Sequence, residues 1–153
     1  MQQGLSVNDA LKKLEHYCAY QDRCYKEVTA KLKSLGMYQD AIDYILNELS
    51  TNKFLNEERF AKSFARGKHK IKGWGKRRIE QELKYRDISS YNIKTALKEI
   101  EEDYITNFYD LAEKKWMNST ETSIELKKKK WIDYFMRKGY ESHLIFQALK
   151  DIE

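Results

Sequence analysis

Apolar residues recur along this chain at steps of three and four, the spacing that lines one face of an α-helix. Three windows share one pattern. Val28, Leu32, Met37, Ile42, Ile45 and Leu46 mark it first; 51 residues on stand Ile79, Leu83, Ile88, Ile93, Ala96 and Leu97. A further 52 residues on stand Trp131, Phe135, Tyr140, Ile145, Ala148 and Leu149. Six apolar positions held in register through three windows predict an internal repeat. Each window reads as two helices joined by a short turn. Gly36 and Gly139 take the turn position in the first and third windows, where helices commonly end on a left-handed residue. Asp87 takes it in the middle window, and aspartate tolerates that conformation better than most side chains. Another amphipathic run precedes each pair, over residues 10–20, 56–66 and 108–116. The expectation is three helices per unit, about nine in all, in units spanning 6–54, 55–103 and 104–153.

Helix-start chemistry supports this register. Ser6, Asn8 and Asp9 precede the first run, Asn56 is followed by Glu57 and Glu58, and Ser89 and Ser90 precede the sixth helix. Such residues cap free backbone N–H groups, and acids in the first turn suit the helix macrodipole. Residues 99–116 contain no breaker and allow either one long helix or a bend, whereas 116–123 reads as a loop. A unit of this size buries only a modest core, so three in tandem gain stability from shared interfaces. The fold class expected is all-α, an elongated and curved array of three tandem three-helix repeats.

Composition removes several alternatives. Proline is absent and glycine numbers only 6 among 153 residues, with 41% hydrophobic and 35% charged. No apolar run is long enough to span a membrane, and the opening MQQGLSVNDALKK lacks the layout of a secretion signal. Cys18 and Cys24 have neither redox nor zinc spacing, and His16, His69 and His143 are scattered. No nucleophile neighbours a histidine, and the carboxylate pairs fall on ordinary helix faces. The expectation is a cytoplasmic, monomeric protein that is not an enzyme and uses no metal or cofactor.

Charge adds the functional signal. Net charge is +5, yet residues 66–78 alone hold seven cations and no acid, leaving the remainder at −2. The cations are Arg66, Lys68, Lys70, Lys72, Lys76, Arg77 and Arg78. A concentrated basic patch on a mildly acidic body fits an anionic partner, most often nucleic acid. Lys76, Arg77 and Arg78 also stand at a predicted helix start, where cations are disfavoured by roughly 0.3–1 kcal/mol each. Gly67, Gly73 and Gly75 lie nearby and would let backbone N–H groups approach a phosphate closely. The segment lacks the spacing and the hydroxyl of a nucleotide-binding loop. Trp74 either folds back over the core or stacks on a base or partner, and the sequence leaves both open. Lys127, Lys128, Lys129 and Lys130 precede Trp131 as Lys76–Arg78 precede Ile79, which makes a second contact there plausible.

At residues 54–89 the sequence FLNEERFAKSFARGKHKIKGWGKRRIEQELKYRDIS resembles the RecX family of recombinase regulators. Leu55, Glu57, Arg59, Phe60 and Ala61 are similar to the family's opening signature. Lys72-Gly73 resembles its basic turn, and Arg78, Ile79, Glu82, Leu83 and Ile88 its closing run. Asn56 and Asp87 depart from the pattern without touching the basic residues. The resemblance implies a negative regulator that lies in the groove of the RecA–DNA filament. It would inhibit ATPase and strand exchange, so modulating recombination, DNA repair and the SOS response, and would bind single- and double-stranded DNA.

A rival reading is a general DNA- or RNA-binding helical module without a recombinase partner; a protein-binding adaptor is a third. Under the filament reading, Lys76, Arg77 and Arg78 find their negative partner only in the complex. Reversing all three charges would then weaken binding while leaving the helix as stable or more so.

Overall fold

The computed structural model describes residues 5–152, whose regular elements are nine α-helices. The first unit comprises α1 (Val7–Tyr20), α2 (Tyr25–Ser34) and α3 (Gln39–Thr51). The second comprises α4 (Glu57–Lys70), α5 (Lys76–Tyr85) and α6 (Ser90–Lys98). The third comprises α7 (Glu101–Met117), α8 (Ile124–Lys138) and α9 (Ser142–Ile152). The repeating apolar positions are the ones that pack. All are buried except Met37, Leu46 and Leu97, which are half-buried. Residues 99–116 bend at their very start: α6 stops, Glu99 and buried Ile100 turn the corner, and α7 runs on unbroken.

Local chemistry sets the ends. Ser6 Oγ accepts from the Asp9 N–H at 3.0 Å, Asn56 Oδ1 from Arg59 at 2.8 Å and Ser89 Oγ from Asn92 at 3.2 Å. Each satisfies a donor with no partner inside its helix. The turn between second and third helices passes through the left-handed region in every unit, at Gly36 (φ 82°), Asp87 (φ 59°) and Gly139 (φ 94°).

The units are not joined alike. Units two and three share one core, in which Ile79, Leu83, Tyr104, Phe108, Phe135 and Tyr140 are packed together. Phe108 lies 4.7 Å from Tyr140 and 5.4 Å from Phe135 between ring centroids. The aromatics of the third window thus fill the seam with the second unit. The first unit has its own core around Leu14, Leu32 and Ile45. It meets the second through Cys24, an Asp22–Arg59 ion pair of 2.8 Å, and Lys26, whose Nζ donates to the Tyr85 carbonyl at 2.6 Å. The accessible surface is 10009 Å², against about 8,200 Å² for a compact monomer of this mass. The excess is what an extended array exposes.

Both cysteines are free and buried. Burial pushes the Cys18 thiol up and drives Cys24, at the seam between the first two units, up to about 11. Neither should react with a small thiol reagent near pH 8 until the chain opens, so labelling should track unfolding measured by denaturant; rapid labelling of native protein would contradict this packing. Because the folded thiol titrates above the unfolded one, its contribution to stability is complete below about pH 9 and is lost as pH rises through about 11.

Candidate nucleic-acid interface

The backbone N–H groups at the start of α5 have partners within the chain. The N-terminus of α5 docks end-on against the C-terminus of α8. Gly75 N–H donates to the Lys138 carbonyl at 2.7 Å and Arg77 N–H to the Gly139 carbonyl at 2.9 Å. Lys76 N–H donates to Tyr104 Oη at 2.9 Å, and that hydroxyl donates to Glu141 Oε1 at 2.5 Å. The positive end of one macrodipole thereby meets the negative end of another. The expectation that a bound anion receives these N–H groups is corrected: carbonyls and a phenol already occupy them. Cations disfavoured by their own helix are favoured by the neighbouring one.

Gly75 and Gly73 serve the same contact, whereas Gly67 lies inside α4 with nothing within 4 Å of an added Cβ. A Cβ on Gly75 would lie 2.5 Å from the Gly139 carbonyl oxygen. Gly73, at φ 69°, lets the chain reverse into α5, and its carbonyl accepts from Tyr140 Oη at 3.0 Å. Lys138 Nζ reaches the Lys72 carbonyl at 3.0 Å. Burial lowers the Lys138 pKa, and Arg78 and Lys72 lower it further by repulsion. Gly75 thus brings backbone to backbone rather than backbone to phosphate, and Gly73 supplies the turn and an acceptor for a tyrosine.

Of the two readings the sequence left open for Trp74, the structure takes the one that folds it over the core. It is 8% exposed, edge-on to Phe64 at 6.1 Å, and belongs to the shared core. It cannot stack on a base without leaving that core. Arg78 lies over its ring at 4.1 Å and Lys68 at 5.0 Å, while Lys76 lies over Tyr104 at 4.6 Å. These three cations are half-buried with their charge held on aromatic faces. Arg66 is exposed and paired with Glu99 at 2.6 Å. Lys70, Lys72 and Arg77 are exposed, and exposed Ile71 stands among them. The basic segment is therefore layered, with Lys70, Lys72 and Arg77 outermost.

Lys127 to Lys130 do not reproduce the α5 start. Helix α8 begins at Ile124 behind a Ser123 cap, so all four lysines lie inside the helix. Lys127 covers the Trp116 ring at 4.1 Å and Lys130 pairs with Glu121. Lys128 is half-buried and Lys129 exposed. Among the described residues no cluster of His, Cys, Asp and Glu could hold a metal ion, and no helix is long and apolar enough to cross a membrane.

Residues 56–97 match the model of the second three-helix domain of RecX, and residues 101–149 match that of the third. The chain belongs to the RecX family. The regulatory protein RecX of Bacillus licheniformis is 29% identical over 154 positions, covering 100% of this chain and 59% of that protein. The Haemophilus ducreyi protein of the same name is 32% identical over 114, covering 74% and 72%. The chain thus spans about three fifths of its Bacillus relative's length. The crystal structure of RecX from Lactobacillus salivarius has the same fold, with a TM-score of 0.79 at 24% identity over 95% of this chain and 96% of that one. The basic segment lies around the α4–α5 connection, inside the stretch that matches the second three-helix domain of RecX.

Sequence reasoning missed the residues that hold this segment in place. His69 is 3% exposed, with Nδ1 at 3.0 Å from the Trp74 carbonyl and Nε2 at 3.1 Å from the Asn107 side-chain nitrogen. One contact calls for a ring donor and the other for a ring acceptor, as in a neutral imidazole with its proton on Nδ1. Tyr104, Tyr140 and Glu141 complete the cradle. The sequence signal available for them was only that tyrosine and histidine bury best when their polar atoms find partners.

Proposed function

We propose that this protein is a negative regulator of the RecA recombinase, binding the groove of the recombinase–DNA filament and suppressing its ATPase and strand exchange. The observation that carries the reading is that two consecutive three-helix units match RecX domains two and three. An array of helical units joined by one thin and one thick seam can follow a helical groove across several subunits. Lys70, Lys72 and Arg77 are its outermost basic residues and would face bound DNA or acidic recombinase surface.

The decisive experiment is recombinase ATPase on single-stranded DNA with the chain titrated in, beside naked-DNA binding at the same salt. Inhibition is expected well below the chain concentration that saturates DNA alone. Inhibition only where the DNA is already coated, or none, would favour a general nucleic-acid-binding module. Such a module should show a log–log salt slope of roughly −0.9 per neutralised phosphate on duplex.

A further inference from the structure

The three units can be superposed by their apolar register, and this aligns the outward faces of their third helices. Positions 91, 94 and 98 of α6 correspond to 40, 43 and 47 of α3 and to 143, 146 and 150 of α9. All nine side chains are exposed. One scaffold thus presents one face three times, and burial places no demand on its chemistry.

That chemistry differs sharply. In α3 the face is Asp40, Asp43 and Asn47; in α9 it is His143, Phe146 and Lys150. In α6 it is Tyr91, Lys94 and Lys98, with Tyr91 75% exposed and no acid anywhere between Ser90 and Lys98. Lys94 and Lys98 are one helical turn apart, and the three side chains span about 10 Å along the helix.

Helix α4 runs alongside α6 in the same direction. Glu57 accepts from the Asn92 amide at 2.5 Å at one end, and Arg66 pairs with Glu99 at 2.6 Å at the other. The end of α6 therefore meets the stretch of α4 that leads into the basic segment. Helices α5 and α6 are joined by the tight turn at Asp87, and a pair so joined can lay its second helix in a major groove while neighbouring elements touch the backbone. A single helix face is convex and suits a groove about 12 Å wide. Single strands are more often held in a channel with several aromatic platforms, and this face has one.

We propose that the α6 face formed by Tyr91, Lys94 and Lys98 is a duplex-DNA contact of the middle unit, continuous with the basic segment, and that the acidic face of α3 is excluded from that role. The inference rests on the DNA-binding part of the function proposed above. It adds residues outside the 66–78 segment and identifies double-stranded DNA as what they bind.

The test compares two double variants of the full chain, Lys94→Ala/Lys98→Ala and Lys12→Ala/Lys13→Ala. They remove equal charge from exposed positions on α6 and α1. Binding to a short labelled duplex is followed by anisotropy across a salt series, with circular dichroism to check folding. The α6 variant should lose at least about tenfold in affinity at ~0.1 M salt and show a salt slope shallower by about 2. The α1 variant should stay within about twofold of wild type. Equal losses in both, wild-type behaviour of the α6 variant, or no duplex binding by the wild-type chain would each overturn the proposal. Recombinase ATPase in the same samples keeps the two readings separate. Wild-type chain that binds duplex through α6 yet leaves the ATPase unchanged removes the filament reading and leaves this one in place.

Discussion

Gly139→Ala is expected to destabilise the joint core of units two and three by about 3 kcal/mol. Two costs combine. A left-handed backbone costs an L-residue roughly 1–2 kcal/mol, and Gly139 sits at φ 94°. Its new Cβ would also lie 2.4 Å from the Arg78 nitrogen and 2.8 Å from the Arg78 Cα. Backbone atoms cannot swing away as a side-chain tip can, so α5 must lift off α8, at a cost of about 1–3 kcal/mol. Gly36→Ala supplies the comparison. Its φ is similar at 82°, but nothing lies within 4 Å of the added carbon, so only the backbone cost of about 1 kcal/mol applies. Urea unfolding followed by far-ultraviolet circular dichroism, which sees the helices of every unit, measures both, and tryptophan fluorescence reports the shared core separately because Trp74 and Trp131 sit in it. Equal losses in the two variants would mean that α5 does not press on the α8–α9 turn.

Lys76→Glu, Arg77→Glu and Arg78→Glu together are expected to lower stability by about 2 kcal/mol, opposite in sign to what the isolated helix predicts. At a free helix start, three acids would gain from the macrodipole. Here the α5 N–H groups already face the carbonyls of Lys138 and Gly139, so the acids would instead oppose the negative end of α8. Arg78 would lose the Trp74 face and Lys76 the Tyr104 face, each worth about 0.5–2 kcal/mol. A glutamate at 76 would also approach Glu141 through Tyr104. Relief of the repulsion between Arg78 and Lys138 offsets part of this loss. The same variant should bind DNA more than tenfold more weakly, since three cations leave the basic segment. An unchanged or raised urea midpoint would show that the cations are held by an outside partner alone.

Both expected outcomes follow from how the basic segment of this chain is built. Three of its seven cations double as structural parts, Lys68 and Arg78 lying on Trp74 and Lys76 reaching across the seam to Tyr104. Mutations at Lys68, Lys76 or Arg78 therefore mix stability with binding. Lys70, Lys72 and Arg77 report on binding more cleanly, being outermost. Units two and three should behave as one thermodynamic body, with the first unit attached by Cys24, the Asp22–Arg59 pair and Lys26.

Much of the fold was legible in the amino-acid order because its causes are local. Helix positions follow from apolar spacing, ends from Ser6, Asn56 and Ser89, and turns from Gly36, Asp87 and Gly139; each depends on neighbours within a few residues. The threefold register was legible for the same reason, since a repeated local solution leaves a repeated local trace. The basic segment could be seen as charge, but its layering could not. Whether Trp74 reaches solvent depends on Phe64 and Arg78, and whether the α5 start is free depends on Gly139, more than sixty residues away. The likeness of Lys127–Lys130 to Lys76–Arg78 dissolved because a cap at Ser123 starts α8 earlier, moving the lysines inside the helix.

By itself, the sequence determined an all-helical chain of three repeated units with a basic segment in the second, because apolar period, capping and local charge are written within single helices. Only the tertiary structure decided that units two and three share a core, that Trp74 is buried, and that the cations of α5 answer the carbonyl end of α8. Those outcomes turn on the meeting of dipoles, rings and backbones from distant segments, and no local pattern encodes that meeting.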